Sequence, residues 1–321
     1  MKSFWMPVVS AILCGASALA SAADYPTHSI RYVVPQGAGG SSDTLARLVT
    51  QKLSESLGQQ VITDNRPGAT GIIGTEIVAR AAPDGYTLLQ VATSHATNPA
   101  LSTKMPFDPI RDFTPVTLLS QSPNLWIVHP SLPVKNMREL IALGKTRPGE
   151  INYSSSGTGS SQHLAGELLK SVAHIDIVHI PYRGSPPALI DLLGGRVVLM
   201  CSTIAPAMPL AKSGKLRAVA VTSLKRSAAV PEIPTVAESG LPGYEATAWQ
   251  GVLAPAGTPR DVIVKLNTEM VRIINQPDVR KQLGDQGYEP AGNSPEQFAE
   301  YIKSEIAKWT RVIKAAGLKA E

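Results

Sequence analysis

The sequence predicts an α/β protein of two lobes joined by two chain crossings, and three observations carry that expectation. Short β-rich runs alternate with helical patterns almost throughout, as parallel sheets with crossover helices require. At 321 residues the chain exceeds the usual size of one hydrophobic core. Residues 120–123 interrupt two extended apolar runs, 113–119 and 125–129, where the chain can leave one lobe, and residues 244–253 can bring it back.

The N-terminus reads as an export leader. Lys2 precedes an apolar run over residues 6–19 that closes on Ala20-Ser21-Ala22, the small-x-small pattern of a signal peptidase site, so cleavage is expected after Ala22. Pro7 and Ser10 interrupt the run, which is shorter than the roughly 20 apolar residues a membrane-spanning helix needs. Cys14 follows the bulky Leu13, where a lipoprotein signal would place a small residue, so a lipid tether is not expected. Removing 22 of 321 residues leaves 299, with Cys201 as the only cysteine and therefore no intramolecular disulfide in the expected periplasmic location.

The first lobe is expected to begin with residues 23–124. Residues 30–34 read as a strand, 37–42 as a glycine-rich loop and 43–57 as a helix, with Leu45, Leu48, Val49, Leu53 and Leu57 near one face and Gly58 as its stop. A strand at 61–63, a helical segment at 74–80 and a strand at 87–92 follow. The second lobe, 125–245, repeats the alternation. Helices are expected at 137–146, 161–172 and 188–193, and extended segments at 151–153, 175–180, 197–200 and 216–221, before a proline-rich stretch at 231–242. Residues 246–321 contain the return crossing and two helices, 259–275 and 295–315, that complete the first lobe.

Charge argues against nucleic acid as a partner. The chain has 30 basic and 25 acidic residues, a net +5 that falls to +4 when the leader takes Lys2 away. Such binding needs a basic stripe, whereas these residues are dispersed and commonly lie beside acids, as Arg138 does beside Glu139.

Two loops could carry chemistry. Gly37 through Asp43 links a strand to a helix, and such a turn lets backbone N–H groups and the helix N-terminus meet a carboxylate or phosphate. A tight turn capped by Ser41, Ser42 or Asp43 explains it equally well. Residues 153–161 repeat the design in the other lobe, with Ser156, Thr158, Gly159 and Ser160 before a helix, and the pair is harder to explain as two incidental turns.

Enzyme motifs fail on the same residues. The serine-rich loop holds no Gly-x-Ser-x-Gly elbow. Gly144-Lys145-Thr146 has Glu139 where a P-loop needs glycine, and Gly157-Thr158-Gly159 continues to Gln162 where a dinucleotide fingerprint needs a third glycine. No His-Glu-x-x-His pair is present, and Cys201 has no cysteine neighbours for zinc. His163 and Trp249 read as packing residues, Trp249 with a lesser claim to a cleft wall.

The chain resembles the Bug, or TctC-like, family of extracytoplasmic receptors for tripartite tricarboxylate transporters. The likeness runs through Val33-Val34-Pro35, Gly39-Gly40, Asp43-Thr44-Leu45-Ala46-Arg47, Asp64-Asn65-Arg66-Pro67-Gly68-Ala69, Ala82-Pro83-Asp84-Gly85-Tyr86, Ser156-Gly157-Thr158-Gly159-Ser160 with His163, Ile180-Pro181-Tyr182-Arg183-Gly184 and Lys215-Leu216-Arg217-Ala218. It implies a two-lobed type II periplasmic binding protein fold with the ligand cleft between the lobes. The ligand carboxylate would be held by Gly39, Gly40, Ser41 and Asp43 on one side and by Ser156, Thr158, Gly159 and Ser160 on the other. The resemblance further implies a monomeric binding protein that is not an enzyme, needs no cofactor or metal, and has a small carboxylate and integral membrane transporter subunits as partners.

Two departures bear on the ligand. Many relatives carry an aspartate after the strand at 197–200, where this chain reads Cys201-Ser202-Thr203, which disfavours a free amino acid. Dicarboxylates, tricarboxylates, aromatic carboxylates and nicotinate-like molecules stay open. Pro35-Gln36 replaces the commoner Pro-Phe at the cleft mouth. A periplasmic sensor and an exported hydrolase using Ser155, Ser156 or His163 are the alternatives.

Overall fold

The computed structural model describes residues 25–318 except Gly40, Thr103, Arg183, Gly184 and Gln286, and for Ser41 the backbone alone. The expected leader, its cleavage after Ala22 and the expected contact from Gly40 lie outside the described residues.

The chain opens with β1 (Ile30–Val34), α1 (Ser41–Leu57), β2 (Val61–Asn65), a 3-10 turn (Ala69–Gly71), α2 (Ile72–Ala79), β3 (Thr87–Ala92), α3 (Ser94–Leu101) and β4 (Phe113–Ser122). It continues with β5 (Asn124–Val128), α4 (Met137–Thr146), β6 (Ile151–Ser155), α5 (Ser161–Ala173), β7 (Ile177–Pro181), α6 (Ser185–Leu193), β8 (Leu199–Thr203), α7 (Ile204–Lys212) and β9 (Arg217–Val221). The last elements are β10 (Ala248–Pro255), α8 (Arg260–Ile274), α9 (Pro277–Asp285), β11 (Glu289–Pro290) and α10 (Pro295–Ala315).

These strands form two sheets, one per lobe. The first has the order β11-β4-β10-β3-β1-β2, with β1 parallel to β2 and β3 and with β10 antiparallel between β3 and β4. The second has the order β7-β6-β8-β5-β9, with β6 parallel to β7 and β8 and with β5 antiparallel to β8 and β9. The chain passes to the second sheet across Pro123 and returns through residues 222–247. In both sheets the parallel strands point their C-terminal ends toward one crevice, the usual ligand position in α/β sheets.

Apolar spacing explains the layers. Leu45, Ala46, Val49 and Leu53 of α1 are buried, with Leu48 and Leu57 packed beside them, against a cluster that includes Tyr32, Leu88 and Val252. Helix α10 starts at a capping box in which Ser294 and Gln297 satisfy each other's backbone, with proline in the first turn. Its buried Phe298, Ile302, Glu305, Trp309 and Ile313 form one stripe. That stripe contacts α3 and β4 of the first lobe and α5 of the second, so one helix braces both sheets. Each large apolar side chain so buried contributes about 1.5–3 kcal/mol.

Three helices were not legible. In α3 Pro99 interrupts a short polar sequence, and α7 contains Pro209, so neither carries an apolar period long enough to read. Helix α9 is mostly polar, with only Val279 and Leu283 buried. Among the described residues no helix is long and apolar enough to cross a membrane.

Candidate functional site

A cleft of about 760 Å³ lies at the crevice, and both lobes line it. The first contributes Pro35, Gln36 and Gly37 after β1, Ser42 in α1, Pro67, Gly68, Thr70 and Gly71 after β2, and Thr93 and Ser94 after β3. It adds Trp249 and Gln250 on β10 and Tyr288 before β11. The second lobe contributes Gly159, Ser160, Ser161, Gln162 and Thr203. An adjoining recess of about 570 Å³ shares Thr70, Gly159 and Ser160 and adds Asn98, Ser156 and Thr158. Among the described residues neither lining contains a charged side chain.

The β1–α1 turn is held from behind. Asp43 is 3 % exposed, accepts the Gly39 N–H at 2.9 Å and pairs with Arg47 at 2.9 Å. The Arg47 guanidinium, with the Gly39 amide, holds the Asp43 carboxyl below the usual carboxylate range. Asp43 and Gly39 therefore brace the turn, while Gln36, Gly37 and Ser42 are the ones among its described residues that line the cleft. Asn65 adds a clamp by donating Nδ2–H to the Gln36 carbonyl at 3.2 Å.

The β2–α2 loop is strained. Gly68, Ala69, Thr70 and Gly71 all have positive φ, which costs the two non-glycine residues about 1–3 kcal/mol each. Asn98 of α3 fixes it by donating to the Thr70 carbonyl at 3.1 Å. Glycine at position 74 lets α2 approach closely, since a Cβ there would lie 2.6 Å from the Arg66 carbonyl and 2.8 Å from Pro35 Cβ. These residues hold strained backbone against the cleft.

The second-lobe loop is ordered by its own side chains. Ser160 accepts the His163 N–H at 3.2 Å as N-cap of α5, and Ser156 donates to Gln162 Oε1 at 2.7 Å. The Gly159 N–H donates to His163 Nδ1 at 3.0 Å, so a neutral His163 carries its hydrogen on Nε2, toward Glu167. The structure thus brings Gly159 and Ser160 to the cleft, Ser156 and Thr158 to the recess, and Gly39 and Asp43 to positions behind the first turn.

A serine–histidine pair does occur, with Ser155 Oγ 2.7 Å from His179 Nε2. Ser155 is fully buried and lies outside the cleft lining, and burial beside the stacked His163 pushes His179 down to about 3. At neutral pH such a histidine is a poor general base. Among the described residues no group of three or more His, Cys, Asp or Glu side chains converges as a metal site would.

Sequence reasoning missed Thr70, Thr93, Ser94, Gln250 and Tyr288. Trp249 is both packing and wall: it is 1 % exposed, lines the cleft, and donates its indole N–H to buried Glu305 at 3.0 Å.

Residues 45–318 match the family described as "Tripartite tricarboxylate transporter family receptor". Protein BugT of Bordetella pertussis (strain Tohama I) is 38 % identical over 307 residues, 95 % of this chain and 94 % of BugT. The structure of R. palustris Rpa4515 with adipate matches with a TM-score of 0.76 at 40 % identity, covering 92 % of this chain and 99 % of that one. MatC (Rpa3494) from Rhodopseudomonas palustris with bound malate matches with a TM-score of 0.71 at 35 % identity, covering 90 % of this chain and 100 % of MatC. The two-lobed periplasmic binding fold fits these relatives, and the chain belongs to the tripartite tricarboxylate transporter receptor family.

Proposed function

We propose that this protein is exported with cleavage after Ala22, captures a small carboxylate between its lobes and delivers it unchanged to the membrane subunits of a tripartite transporter. The observation that carries the reading is the cleft itself, lined from both lobes by hydroxyls, side-chain amides and strand-end backbone, with no charged side chain among its described residues. Neutral dipoles can hold an anion without a fixed counter-charge, which suits capture followed by release. Adipate and malate, bound by the two solved relatives, indicate the ligand class. Ser160 and Gly159 would contact the carboxylate from the second lobe and the α1 N-terminal turn from the first, with Ser156 and Thr158 serving a longer ligand from the recess. The lobes would take residues 23–124 with 246–321, and 125–245, and the protein would act as a monomer.

A thermal-shift screen over adipate, malate, citrate, benzoate and nicotinate tests this. At 100 times its dissociation constant a true ligand is expected to stabilise the fold by about 2.7 kcal/mol and to be recovered chemically unchanged. No stabilisation by any of the five, or recovery of a reaction product, contradicts the reading.

A further inference from the structure

A buried chain of hydrogen bonds runs from the first-lobe core to the cleft floor, and one backbone carbonyl fixes its direction. Gln90 Nε2 lies 2.7 Å from the Ser42 carbonyl oxygen, which can only accept, so that nitrogen is the amide end of Gln90. Its other hydrogen goes to Gln250 Oε1 at 2.7 Å, and Gln90 Oε1 accepts the Tyr32 hydroxyl at 3.0 Å. Burial keeps the Tyr32 phenol protonated and therefore a donor. With Gln250 Oε1 facing Gln90, Gln250 Nε2 faces Tyr288 and donates to its hydroxyl at 3.2 Å. Every link points the same way, and no amide can flip without opposing Gln90 Nε2 to another donor or leaving the Ser42 carbonyl unpaired.

The Tyr288 hydroxyl thus accepts from behind and keeps its own hydrogen to give. Among the described residues no acceptor takes it, and Tyr288, 9 % exposed, lines the cleft beside Gln250. We propose that Tyr288 is a ligand-contacting specificity residue whose O–H, aimed by the Tyr32–Gln90–Gln250 chain, donates to an oxygen of the bound carboxylate. This rests on the cleft being a carboxylate site. It adds that the floor at Tyr288 selects for an acceptor, because a ligand presenting none leaves a buried donor unpaired. Aligned bonds polarise one another, so the terminal hydroxyl is a better donor than an isolated tyrosine.

The test is calorimetric titration of wild type and Tyr288→Phe with adipate, malate, citrate, benzoate and nicotinate, beside melting curves of both proteins without added carboxylate. For each compound that binds wild type, Tyr288→Phe is expected to bind about 10- to 100-fold more weakly with its own melting curve little changed. Affinity within about twofold of wild type overturns the proposal, whatever the melting curve does. Should Tyr288→Phe fail to fold, Gln250→Leu removes the group that aims the hydroxyl. A loss of roughly fivefold or more supports the proposal and no loss overturns it. A wild-type protein that binds none of the five overturns the carboxylate reading and this inference together. A wild type that binds while Tyr288→Phe binds equally well overturns the inference alone.

Discussion

Glu305→Ala is expected to lower the unfolding free energy by about 3–5 kcal/mol, a large fraction of the stability of an ordinary domain. Glu305 is 3 % exposed, and its Oε2 accepts the indole N–H of Trp249 at 3.0 Å and of Trp309 at 2.9 Å, while Oε1 pairs with Lys308. Alanine leaves two buried indole donors without an acceptor, opens a void between α10 and β10, and frees Lys308 to turn outward. The damage falls where the lobes are braced, because α10 also contacts α5 and Trp249 lines the cleft. Urea denaturation should show a lower midpoint at unchanged slope. A loss below about 1 kcal/mol would mean that the carboxylate does not hold the two indoles.

Thr203→Asp is expected to weaken carboxylate binding by about 100-fold without harming the fold. Thr203 lines the cleft and is the N-cap of α7, where its side chain makes no capping bond. Aspartate is a better cap and suits the helix dipole, so stability should hold or rise slightly. The same charge placed roughly 5 Å from a bound carboxylate, at an effective dielectric of about 20, costs about 3 kcal/mol. Ligands with an ammonium group beside the carboxylate should gain relative to those without one. Calorimetric titration with malate and aspartate reads both effects, and undiminished malate affinity would place the bound anion away from Thr203.

The fold was legible where local pattern and global role agree. The apolar stripe of α1, the span of α10 over Pro295–Ala315 and the strand-helix alternation all survive as read, since each is decided within a few residues. Helices α3 and α7 hid because Pro99 and Pro209 contradict a helical pattern that tertiary packing overrides. For the site, the glycine- and serine-rich loops were visible because composition marks them. Positive φ at Ala69 and Thr70 was not, since nothing in those residue types requests it. Trp249, Gln250 and Tyr288 reach the cleft only because β10 inserts between β3 and β4 and the segment ahead of β11 follows it. The Gln90–Gln250 bond spans 160 positions, beyond any local signal.

The most direct measurement is a crystal structure of the protein grown with the tightest-binding carboxylate of the five. The expected result is one carboxylate in the cleft, with hydrogen bonds from the Gln36–Ser42 turn of the first lobe and from the Gly159–Gln162 stretch of the second. A carboxylate bound by one lobe alone, or seated in the separate cavity of about 460 Å³ lined by Pro130, Met208 and Arg217, would contradict it.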